Sequence, residues 1–388
     1  MTTGQAEDLL RDPDRPHRAT YVELLFDVVF VFAVVRLSDT LFSDLTWAGA
    51  WQVGLMLAAF WWIWIFTTWT SGRLDADRAS VQFLIVMIML AGLLMVLAVP
   101  EAFGQQSVLF AAMYVAIQVG RGLFVLVALP SQRAALGAGR MLVWSCASGV
   151  FWLAGAVLGG TPQLVLWSLG LIVDASHEFR LPSYHAHGKG LTASASHLAE
   201  RFHQFMIIAI ADKILAAGLK FNQLDFVAER VAALVITFWT AILTWRIYFY
   251  HAGELLPASI ASSRSPGRYS RSLAYWHLVM VAGLVVNSAS EEVIVTNPTG
   301  QTRTVWAVVI AGGLILFLIG RAGFDKLTFN RVAGSRIVGL LLIATVTPLA
   351  MPLDPMLITL IMNVILAGVA ISDTVFWRRR PRRPSPPG

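Results

Sequence analysis

The chain has 388 residues, of which 57% are hydrophobic and 13% charged, whereas soluble domains carry about 25% charged residues. Mean hydropathy is +0.67. That balance excludes an ordinary soluble globular protein. The formal charge of +6, from 29 Lys and Arg against 23 Asp and Glu, would suit a nucleic-acid partner only if the cations were gathered into one patch.

The first nineteen residues are polar and contain Arg11, Arg15 and Arg18, so no cleavable signal peptide is expected. Apolar stretches then follow at 20–42, 47–69, 81–99, 108–129, 141–159, 161–179, 196–219, 227–250, 272–295, 304–320, 332–350 and 355–377. Each is close to the ~20 residues that a bilayer-crossing helix needs. The expected fold is all-α and polytopic, with about twelve transmembrane helices. Expected segments are a cytoplasmic start at 1–19, a first six-helix half at 20–179, a linker at 180–195, a second half at 196–377, and a Pro/Arg-rich disordered tail at 378–388.

Cations outside these stretches alternate by loop. Twenty fall at the N-terminus, in loops 2–3, 4–5, 6–7, 8–9 and 10–11 (the last with Arg321, Lys326 and Arg331) and in the tail. The intervening loops hold only Lys220 and Arg303. Such asymmetry marks the cytoplasmic side, so both termini are expected in the cytoplasm, with a bacterial cytoplasmic membrane as the location. The basic tail would meet anionic lipid heads, and a nucleic-acid partner is not expected.

The first stretch is unusual. It carries Glu23, Asp27, Arg36 and Asp39, and each charge near a bilayer centre costs roughly 2.5–3.5 kcal/mol on insertion scales. Glu23 and Asp27, four residues apart, share a helix face. Arg36 falls on the opposite side. The helix is therefore expected at the centre of the bundle with its charges sheltered. Two carboxylates one turn apart would suit proton coupling unless a neighbouring cation, such as Arg121 or Arg246, neutralises one of them.

Further along, Trp61-Trp62-x-Trp64 reads as packing bulk. Asp75-Ala76-Asp77 is too short to stand as a metal–nucleotide motif, and Gly155-x-x-x-Gly159 would permit close helix approach. The single cysteine, Cys146, excludes an intrachain disulfide. His185-Ala186-His187 lies in a Gly/Ser-rich loop and reads as solvated rather than metal-binding. At the inner level, Arg121, Asp174, His177, Glu178, His197, His203, Arg246, His277 and Asp373 are candidate partners for the first helix; at the outer level they are Arg230, Glu291 and Glu292. Glu291-Glu292 lacks the Arg that an intramembrane protease motif would need at Thr296. No P-loop, G-x-S-x-G elbow or G-x-G-x-x-G fingerprint is present, and no cofactor or metal is expected.

The seventh stretch resembles the first. With an offset of 177, Glu23 meets Glu200, Arg36 meets Lys213, and Trp62 meets Trp239. Beside them stand Arg201 and Asp212. Two six-helix halves would share one orientation, a parallel duplication about an axis along the membrane normal.

The run Tyr21-Val22-Glu23-Leu24-Leu25-Phe26-Asp27-Val28-Val29-Phe30 resembles the opening signature of the bacterial low temperature requirement protein A (LtrA) family. In order, Asp75-Ala76-Asp77, Pro100-Glu101-Ala102-Phe103, Tyr114-x-x-x-Gln118-x-x-Arg121, His197-x-x-Glu200-Arg201-Phe202 and His277 with Gly283 extend the likeness over nearly the whole chain. Ala211-Asp212-Lys213 departs from the family's usual Gly-Glu-Ser, and Arg36 stands where a neutral polar residue is common. The resemblance implies a multi-pass bacterial membrane protein named for growth in the cold, with no activity attached. Phe26-Asp27-x-Val29-Phe30 is also similar to the first-helix motif of a two-repeat potassium-channel family, although Glu23 stands where that motif has Arg.

The expected function is permease-like transport of a small solute or ion through a charged site between the halves, proton- or cation-coupled, in a chain that could form a homo-oligomer. The alternatives are a cation channel, a membrane-embedded enzyme, or a structural or sensory protein.

Overall fold

The computed structural model describes residues 9, 11, 19–128, 132–180, 189–250, 252–263 and 265–378. The histidine pair at 185 and 187 and nearly all of the tail lie outside them. Among the described residues the chain is helical throughout, with no strand. An apolar segment in lipid must satisfy its backbone internally, and the helix does so.

The helices are α1 Tyr21–Ser43, α2 Trp47–Ser71, α3 Ala79–Ala98, α4 Ser107–Ala128, α5 Gln132–Leu158, α6 Gly160–Arg180, α7 Lys189–Phe221, α8 Ala228–Phe249, a short α9 Ala252–Ala261, α10 Pro266–Thr296, α11 Thr304–Phe329, α12 Gly334–Ala350 and α13 Pro355–Arg378. Among the described residues nine are long and apolar enough to cross a membrane: α2, α3, α4, α5, α7, α8, α10, α11 and α13. The remaining long ones differ in kind. α1 carries four charges, α6 ends in the polar run 174–180, and α12 is a shorter apolar helix.

Two expected boundaries move. α7 begins at Lys189, so it takes up part of the linker expected at 180–195. α11 runs to Phe329, nine residues beyond the apolar stretch, and draws Arg321 into the interior, where it is 2% exposed. Arg321 therefore carries no information about membrane side. The α5–α6 boundary falls at Gly159 and Gly160, whose φ of 65° and 54° are left-handed and turn the chain within one residue. Gly159 thus belongs to a turn. Gly155 alone serves close packing, since a Cβ there would lie 2.7 Å from Trp167 Cδ1.

The packing order repeats along the chain. α1 packs on α2 and α3, α3 on α4, α4 on α5, α5 on α6, and α6 returns to α2. In the same order α7 packs on α8 and α10, α10 on α11, α11 on α12, α12 on α13, and α13 returns to α8. α9 is an addition lodged against α7. The two sets meet where α1 lies against α7 and α10.

α1 and α7 run in the same direction. Glu23 meets His197, Asp27 meets Arg201 and Ser38 meets Asp212, each at a separation of 174 residues. The register holds over some four turns. We call the end where α1 begins proximal and the other distal. α2 and α10 are the most enclosed of the nine spans. α1 is partly peripheral, with Leu24, Leu25 and Val28 facing outwards and Glu23, Phe26, Asp27, Phe30, Leu37 and Ser38 facing inwards.

Candidate functional site

The proximal layer is built by α1, α2 and α7. Arg201 donates from Nη1 to Asp27 Oδ2 and from Nη2 to Asp27 Oδ1, both at 2.7 Å. This is the bidentate fork that a guanidinium makes best. Nη1 also reaches the Glu23 carbonyl at 3.0 Å, and Trp64 Nε1 donates to Asp27 Oδ1 at 3.0 Å. Glu23 Oε1 takes His197 Nε2 at 2.9 Å, while its Oε2 accepts from Thr20 N at 2.9 Å, closing the first turn of α1. Glu200 turns away from Arg201 and accepts from Ala19 N at 3.1 Å.

The cation for Asp27 is thus Arg201, and Arg121 and Arg246 lie elsewhere. Arg246 stacks on Tyr250 and donates to Thr374. With Asp27 doubly bonded and Glu23 held on both oxygens, this layer is an ion-pair lock between α1 and α7. Next to it Phe202 stacks on His277, whose Nδ1 donates to the Leu273 carbonyl at 2.8 Å. Nε2 then accepts from Tyr248 Oη at 2.9 Å.

Above the lock sits an aromatic plug. Phe30, Trp61, Trp64 and Phe205 are all buried, with Trp64 and Phe205 ring centres 4.6 Å apart and Phe30 and Phe205 6.1 Å apart. The tryptophan cluster is therefore interior packing.

The distal layer is the opposite of the lock. Asp212 and Lys213 of α7 are 0% exposed, Glu291 of α10 is 1% and Glu292 4%. Lys213 Nζ lies 2.9 Å from Glu291 Oε1 and also bonds Asn287 Oδ1. Asp212 has two hydroxyl neighbours, Ser38 Oγ at 3.5 Å from Oδ1 and Ser288 of α10. Among the described residues, Asp212 Oδ2, Glu291 Oε2 and Ser288 Oγ are buried without a well-formed hydrogen bond. Native interiors rarely leave such atoms unpaired, so each one demands an explanation. Asp212 and Glu291 share Lys213, whereas Glu292 lies within electrostatic reach of Lys220.

Arg36 and Asp39 are not part of this sheltered set. They pair at 3.3 Å with side chains 34% and 46% exposed, near the distal end of α1, where long side chains reach the interface. The expectation that all four charges of α1 are buried holds for Glu23 and Asp27 alone.

Two flanking networks lie off the α1–α7 seam. In α4–α6, Arg121 bonds Gln118, Gln118 donates to Tyr114 Oη at 3.0 Å, and Tyr114 and Ser148 donate to Asp174 at 2.6 and 2.7 Å. In α11–α13, Arg321 pairs with Asp325, and Arg336 Nη2 lies 2.6 Å from Asp373, which also accepts from Ser335 at 2.8 Å. Arg321, Asp325 and Arg336 escaped the sequence reading. Asn287, Ser288 and Ser290 were also missed, although a polar run inside an apolar stretch is itself a signal of inward-facing function. The described residues contain no group of three metal-ligating side chains, and Asp75 instead caps its own turn, accepting from Asp77 N at 3.2 Å and pairing with Arg78.

Among the described residues, an all-helical architecture with nine membrane-length helices and ionisable side chains folded inwards defines a multi-pass membrane protein. It belongs to the bacterial low temperature requirement A protein (LtrA) family, whose model matches residues 18–371. The chain is 32% identical over 367 residues, 92% of its length and 89% of the relative's, to "Uncharacterized protein RA0937" of Rhizobium meliloti (strain 1021). No solved structure matches it.

Proposed function

We propose that this protein is a secondary transporter of the bacterial cytoplasmic membrane, with its site in the distal layer between α1, α7 and α10. One observation carries the reading: Asp212, Lys213, Glu291 and Glu292 are buried together, with carboxyl oxygens that make no well-formed hydrogen bond. Ionisable groups at membrane depth are costly and mark transport paths. On this reading α1, α6 and α12 also cross, giving twelve spans in two parallel six-helix halves. The repeated packing order and the shared direction of α1 and α7 support it. Both termini face the cytoplasm, and growth in the cold depends on the solute carried.

A channel is disfavoured because Lys213, a fixed cation, sits fully enclosed in the seam. The test is solid-supported membrane electrophysiology on proteoliposomes, screened with amino acids, organic acids, ammonium and alkali cations. Saturable currents that fall at least tenfold in Glu291→Gln support transport. Wild-type liposomes that respond to none of these solutes, under either a pH or a sodium gradient, overturn it.

A further inference from the structure

We infer that Asp212 is the proton-carrying residue of this site. The inference rests on the transport reading for its purpose, though not for its geometry. Lys213 is already committed to Glu291 and Asn287. Asp212 has only two hydroxyl neighbours, Ser38 at 3.5 Å and Ser288, and Oδ2 makes no well-formed hydrogen bond, at 0% exposure. A carboxylate enclosed in this way is stabilised by taking up one proton at Oδ2, which removes the charge and adds no other atom.

The neighbourhood fits a proton better than a metal cation. Sodium sites in transporters draw on carbonyls freed by unwound helices, and α7 and α10 run unbroken from Lys189 to Phe221 and from Pro266 to Thr296. Their carbonyls are spent within the helices.

The charged groups near Asp212 come from α7 and α10, with an exposed pair farther out on α1. Lys213 is beside it, Glu291 and Glu292 come from α10, and Arg36 and Asp39 lie at the distal end of α1. α2 has no ionisable residue, and α8 turns Thr237, Thr240 and Thr244 inwards. α9 follows the proximal end of α8. Glu292 lies within electrostatic reach of exposed Asp39, of Lys220 and of Asp212. Asp39, Glu292 and Asp212 thus lie at nearly one level of the bundle, and exposed Asp39 brings that level within reach of the distal surface. Below Asp212 the way is shut by the aromatic plug and the Arg201–Asp27 lock. The proton enters and leaves at the distal side in this conformation.

The test is infrared difference spectroscopy of the full chain in lipid nanodiscs, stepped from mildly acidic to alkaline pH. A carbonyl band of a protonated carboxylic acid should disappear as pH rises. It should be missing from Asp212→Asn and shifted in Asp212→Glu, with both variants monodisperse by size-exclusion chromatography. A wild type without such a band, a band unchanged in Asp212→Asn, or a titration that moves with sodium chloride at constant ionic strength overturns the inference. The flux screen answers separately: a titrating Asp212 in a protein that moves no solute sinks transport and leaves the proton site standing.

Discussion

Arg201 and Asp27 join α7 to α1 through two parallel hydrogen bonds of 2.7 Å, with side chains 1% and 5% exposed. Removing one member of such a pair leaves an uncompensated buried charge, which costs about 3–5 kcal/mol. Arg201→Met should therefore unfold at markedly lower temperature in detergent, and Asp27→Leu likewise. The double variant should recover most of the loss, because hydrophobic replacement of a whole buried pair is often near neutral. If the double variant is as unstable as the sum of the singles, the two residues do not act as a pair.

The distal pair should behave differently. Glu291→Leu strands Lys213 in a fully enclosed site, and Lys213→Met strands Glu291. Each single change should cost roughly 3–5 kcal/mol, with the double variant regaining stability. Function separates the two layers. The stable Lys213→Met/Glu291→Leu protein should still give no solute current, whereas a purely structural pair would leave the current intact.

How far this site could be seen in advance depends on what a linear chain records. Glu23, Asp27, Arg201, Asp212 and Lys213 stood out because charges in apolar stretches are conspicuous, and they do meet along one seam. Partner choice was not visible. Asp27 could have met Arg121 as readily as Arg201 until the neighbours and rotation of α1 were known, and those follow from packing. The reach of α11 was hidden for a related reason. Arg321 and Asp325 lower the hydropathy and look like loop, yet each cancels the other's charge inside the bundle. Helix ends set by backbone geometry fared better, as at Gly159 and Gly160.

Close helix approach makes a third prediction. A Cβ at Gly283 of α10 would lie 2.4 Å from Phe317 N and 2.7 Å from Gly313 O of α11, both backbone atoms. Neither can swing aside, so the helices must part. Gly283→Val should lose at least about 1–3 kcal/mol, read as a lower unfolding temperature and aggregation on size exclusion. At Gly312 nothing lies within 4 Å of an added Cβ, so Gly312→Ala should match the wild type. Equal behaviour of the two variants would mean that α10 and α11 are not in contact.

Membrane crossing by α6 can be tested from two turns. Asp77 lies between α2 and α3, and Asp225, with its side chain 96% exposed, between α7 and α8. Five helices separate them, α3 to α7, so with the other four crossing the turns fall on opposite sides only if α6 crosses too. Four of these are long and apolar enough on their own. α6 is the fifth, and its polar end 174–180 makes it the weakest of them. The single native cysteine, exposed Cys146, can be replaced by serine to give a clean background. In right-side-out spheroplasts a membrane-impermeant maleimide should label Asp225→Cys at once and Asp77→Cys only after permeabilisation. The reverse pattern would invert the orientation proposed from the basic loops, and simultaneous labelling of both would show that α6 does not cross.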